Sequence, residues 1–84
     1  MNNLPRNARV LYRPRNPAMT APPMAAQAKF VYKAIINLKA ASSVREISEQ
    51  AIKDGMGTRQ PPERIVRYYI KFLVDLDLIV KEPT

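Results

Sequence analysis

The sequence predicts a mainly helical domain of three short helices, with a minimal β-strand or two and an extended basic N-terminal arm. Three observations carry this expectation. Residues 24–40 hold neither Pro nor Gly, and Ala28, Val31, Ile35 and Leu38 recur at the spacing that lines one face of a helix. Ser43 followed by Glu46 is a capping box, with the serine oxygen accepting from a first-turn N–H and the carboxylate reaching back. Pro61 and Pro62 then precede a second apolar-periodic run, and proline is tolerated in the first turn because its missing N–H has no partner there.

Each element follows in order. Residues 1–23 carry Pro5, Pro14, Pro17, Pro22 and Pro23 among Asn, Arg and small side chains, too little apolar area to offset the entropy of ordering. Within this arm only Val10, Leu11 and Tyr12 have the β-propensity to add a short strand to a sheet edge. The domain proper is expected over 24–84. Its first helix runs from Met24 to Ala40, with Lys29, Lys33 and Asn37 on another face and Tyr32 and Ile36 exposed. A second helix starts at Val44, buries Val44, Ile47 and Ala51 with Ile52 beside them, and ends at Gly55 as C-cap. The third starts at Pro62, where Glu63 suits the positive end of the helix dipole. Its expected seam is Ile65, Tyr69, Phe72 and Leu76, supported by Val66 and Leu73, with Arg64, Arg67, Tyr68, Lys71 and Asp75 on the opposite side. Leu78-Ile79-Val80 reads as a closing strand.

Composition narrows the function. The 84 residues include no Cys and no His, which removes disulfides, thiol nucleophiles, the commonest zinc ligands and the usual general base. Asp54-Gly55-Met56-Gly57-Thr58 lacks the third glycine and preceding strand of a dinucleotide fingerprint and reads as a turn. A non-enzymatic protein without cofactor or metal is expected. There is no bilayer-length apolar run and no secretory signal, so the expected location is cytoplasmic or nucleoid-associated, with no membrane partner. The net charge is +7, and all of it arises in residues 1–42, whose seven cations face no acid, whereas the rest balances seven against seven. Such a charge points to a polyanionic partner.

Residues 43–82, SVREISEQAIKDGMGTRQPPERIVRYYIKFLVDLDLIVKE, resemble a winged helix-turn-helix domain of transcriptional regulators. The capped S-V-R-E-I-S matches the opening of the positioning helix. A Pro-started helix with apolar Ile65, Tyr69, Phe72 and Leu73 matches the recognition helix, and F-L-V-D-L-D-L-I-V-K-E echoes the passage from recognition helix to wing. Two departures stand out. The stretch from Ile52 to Pro62 is several residues longer than the family's tight turn, and Asp77 stands where the family has Gly. No returning strand follows before Thr84, so a full wing is not expected.

The resemblance implies that helix 62–76 enters the major groove of double-stranded DNA. Arg59, Gln60, Arg64 and Arg67 are then the candidate base readers, since Arg can bond guanine and Gln adenine in bidentate fashion, and Tyr68 and Lys71 meet sugar and phosphate. Arg6, Arg9, Arg13 and Arg15 along an extended chain suit backbone or minor-groove contact. This describes a small DNA-binding transcription regulator of viral or plasmid type, acting as a homodimer. Two other readings remain open at this point: a protein-interaction module docking on a polymerase or other nucleic-acid machine, and RNA binding by the arm alone.

Overall fold

The structure is a computed structural model describing residues 10–18, 20–57 and 61–83. Three helices and a two-stranded antiparallel sheet follow in the order β1 (Val10–Pro14), α1 (Ala26–Leu38), α2 (Val44–Lys53), α3 (Pro62–Asp75) and β2 (Ile79–Pro83). The helices pack on one another around a core of Val31, Tyr32, Ile35, Ile47, Val66 and Leu73. The sheet closes one side, with β1 against α1 and β2 against α3.

Helix ends are set by local chemistry. α1 begins two residues later and ends two earlier than expected, stopping at Lys39, which takes a left-handed φ of 58° as C-cap. At α2 the capping box is complete: Glu46 N–H donates to Ser43 Oγ at 3.2 Å and Ser43 N–H to Glu46 Oε1 at 2.8 Å. α2 closes in a Schellman motif on Gly55, whose φ is 108°, with Gly55 N–H bonding Ile52 O and Met56 N–H bonding Ala51 O. Buried Met56 then covers Ala51. The same motif ends α3, where Asp77 N–H bonds Val74 O and Leu78 N–H bonds Leu73 O. Here the left-handed residue is Asp77, at φ 65°. Asp visits this region at some cost that Gly does not bear. Asp77→Gly is therefore expected to leave stability unchanged or raise it by up to about 1 kcal/mol, and Asp77→Val to lower it by about 1–2 kcal/mol, read from thermal melts.

Three packing expectations need correction. The buried seam of α3 is Val66, Ile70 and Leu73, while Phe72 and Leu76 are 42% and 49% exposed. Apolar residues cover more than half of this helix's circumference, and α1 and α2 select the stripe that includes Val66 and Ile70. On α2, Ser48 takes the buried place beside Ile47 and Ala51, its hydroxyl donating to Val44 O at 2.8 Å, and Ile52 turns outward. On α1, Tyr32 is buried rather than exposed, in phase with Ala28 and Ile35.

The N-terminal segment also differs from an arm. From Val10 it runs antiparallel to β2, with Tyr12 opposite Lys81 and Arg13 opposite Val80. Tyr12 and Ser42 exchange N–H···O bonds, both 2.8 Å, so the main chain between α1 and α2 borders β1 on its other side. Since Tyr12 bonds Ser42, it cannot bond Lys81, and alternate pairs toward β2 are non-hydrogen-bonded. Pro14 and Pro83 both fall in such pairs, where a missing N–H costs the ladder nothing. The strand beside β2 is supplied from the N-terminal side. Lys81 turns its peptide groups to the open edge of β2, where a charged side chain and Pro83 blunt further pairing.

Candidate functional site

The surface of α3 is divided into two exposed strips. One carries Arg64, Arg67 and Lys71, all exposed. Beside it a groove of about 780 Å³ opens between α3, the start of α2 and the sheet. Its walls include Tyr12, Arg45, Glu63, Arg67, Lys71 and Lys81, with Ile70 and Val74 at its floor.

Each side chain has a local reason to be there. Arg67 and Lys71 stand one turn apart on α3, adjoining the buried Ile70. Arg45 is the second residue of α2, so the capping box at Ser43 fixes the direction in which it leaves the helix. Lys81 alternates with its strand neighbours on β2. Glu63, in the first turn of α3, lies 3.7 Å from the Arg45 guanidinium and 3.8 Å from that of Arg67. These are loose, solvent-exposed pairs that contribute little to stability. Asp75 is the other acid at the rim, so four cations against two acids leave an excess of two positive charges. Burial pushes the Tyr12 phenol above its ordinary pKa, opposed by the nearby Arg67 guanidinium, so at neutral pH its hydroxyl is uncharged.

The expected site residues are distributed as follows. Arg67 and Lys71 line the groove; Arg64 and Tyr68 lie outside it on α3. Tyr68 is 69% exposed and meets Tyr69 edge-on, ring centroids 5.0 Å apart. Arg13 pairs with Glu82 across the sheet, and Arg15 with Asp77, both in exposed positions. These two arginines thus belong to β1 and the turn after it. Arg6, Arg9, Arg59 and Gln60 lie outside the described residues. Arg45 and Lys81 are additions that the sequence did not single out, because only the tertiary fold brings α2 and β2 beside α3.

No helix among the described residues is long and apolar enough to cross a membrane. Comparison with known proteins gives no significant match to any family model, curated protein or solved structure.

Proposed function

We propose that the protein binds double-stranded DNA, with α3 along the duplex and Arg45, Lys71 and Lys81 on its phosphates. The observation that carries this reading is the convergence of four cations from α2, α3 and β2 on one open groove. A convex duplex fits beside a helix flanked by a sheet, and neutralising phosphates supplies much of the affinity in such binding. The resemblance of residues 43–82 to winged helix-turn-helix regulators supports it, as does β1 lying beside β2 where a wing's second strand would stand. The net charge of +7 favours the same class of partner. Arg67 is the groove residue best suited to reach a base edge, and Arg64 a second reader from the adjoining turn.

Salt-dependent titration of a duplex tests this. Ala at Arg45, Lys71 or Lys81 should each reduce the slope of log affinity against log salt by about one unit. Lys29→Ala and Lys33→Ala, on α1 outside the groove, should leave it unchanged. If groove and α1 substitutions act alike, the positive charge attracts DNA without a defined site. If none of the proteins binds duplex, the protein-interaction alternative stands in its place.

A further inference from the structure

On the side of α3 away from the groove, Tyr68, Phe72 and Leu76 recur every four residues and are 69%, 42% and 49% exposed. Partly buried Ile65 and Tyr69 adjoin them. Such a spacing makes a continuous apolar stripe on one helix face. An uncovered aromatic stripe of this kind marks an interaction surface more often than an isolated exposed apolar side chain does.

The flanking charges say what fits it. Arg64, in the first turn of α3, and Asp75, its last residue, are both exposed and take part in no ion pair among the described residues. They are eleven residues apart, about three turns, so both border the stripe on the same side. This placement opposes the helix dipole, which favours acids at the N-terminus and bases at the C-terminus. The helix dipole therefore does not account for Arg64 and Asp75 standing where they do. An antiparallel copy of the same helix changes that, because each Arg64 then meets the other chain's Asp75. In that register Tyr68 comes within one residue, about 1.5 Å, of the level of Phe72. A parallel copy would put the two Arg64 side chains, and the two Asp75, on opposite edges of the interface, with no rim pair between them.

We propose that this face binds a second copy of the chain: α3 pairs antiparallel with its two-fold mate, Tyr68, Phe72 and Leu76 packing between the helices. Arg64 and Asp75 form two symmetric rim pairs, in the way flanking charges select partner and orientation in helical zippers. The interface is isologous, as a two-fold dimer requires. Its apolar stripe lies outside the groove, and it shares with the DNA reading only the rim residues Asp75 and Arg64. Three exposed side chains supply on the order of 300 Å² per chain, below the roughly 800 Å² of a standard interface, so the expected dimer is weak, micromolar at the tightest.

Sedimentation equilibrium of the full chain from about 1 to 500 µM tests the pairing, since that range brackets a micromolar association. The wild type should pass from monomer to dimer, and Phe72→Gln should remain monomeric with an unchanged far-ultraviolet spectrum and a cooperative melt lowered by no more than about 8 °C. Arg64→Asp or Asp75→Arg alone turns both rim pairs repulsive and should weaken the dimer about tenfold. The double reversal should restore it. Both substitutions favour the helix dipole, so a loss of folding is not expected of either. A wild type that stays monomeric throughout overturns the proposal, as does a dimer indifferent to Phe72→Gln or a double reversal that fails to recover association. Duplex titration of Phe72→Gln keeps the two readings apart, because the monomer retains the groove.

Discussion

Leu73→Ala is expected to cost about 2–5 kcal/mol, while Phe72→Ala, one residue earlier, costs less than about 1 kcal/mol. Leu73 is wholly buried between α3 and the rest of the core, and it also covers the Schellman turn, where Leu78 packs back over it. Removing its side chain leaves a cavity that α1 and α2, fixed by their own contacts, cannot fill. Small domains have only about 5–15 kcal/mol of stability in all, so the variant should be largely unfolded at ambient temperature or melt far below the wild type. Phe72 is 42% exposed and loses mainly contact at the rim. The comparison fixes the phase of α3 directly: if Phe72→Ala is the damaging change, the helix is rotated so that the Tyr68–Leu76 stripe faces inward.

The second large effect concerns β1. Deleting residues 1–16 removes the strand that pairs with β2, both hydrogen bonds between Tyr12 and Ser42, and the cover that Tyr12 gives the core. Each backbone bond lost is worth roughly 1 kcal/mol net, and the apolar cover adds to it, against the ordering entropy of a five-residue strand. A net loss on the order of 3 kcal/mol follows, seen as a melting point lower by more than about 10 °C for a domain this size. Arg13→Ala and Arg15→Ala, which remove only exposed ion pairs, should change stability by less than about 0.5 kcal/mol. A truncated protein that melts like the wild type would mean that the sheet contributes nothing to the fold.

Why some of this is legible in the sequence and some is not follows from the range of the forces involved. The start of α2 is written in four consecutive residues, because Ser43 and Glu46 need only each other and the intervening backbone. The start of α3 is equally local, set by Pro61, Pro62 and the acid after them. The rotation of α3 is not local. Ile65, Val66, Tyr69, Ile70, Phe72, Leu73 and Leu76 form two overlapping stripes of similar hydrophobicity, and only the positions of α1 and α2 decide which is buried. The pairing of β1 with β2 joins opposite ends of the chain; Val10, Leu11 and Tyr12 advertise a strand but not its partner, and five prolines nearby make the whole segment read as an arm.

The candidate site divides in the same way. Arg67 and Lys71 can be placed on one helix face from their spacing alone. Arg45 beside a capping box and Lys81 in a strand of alternating residues look like ordinary surface charges until the fold sets them around Arg67.

Whether the groove holds duplex is decided by the affinity of the full chain for a mixed-sequence duplex as salt is raised, set against a variant with Ala at Arg45, Arg67, Lys71 and Lys81. The wild type should show a linear log–log plot, steeper than that of the variant by roughly 3 units, since Arg45, Lys71 and Lys81 each give one phosphate contact worth about 0.9. The variant should keep its cooperative melt, all four side chains lining an open groove rather than the core. Parallel plots for the two proteins would rule out binding at the groove, because DNA would then be held by some other part of the chain or not at all.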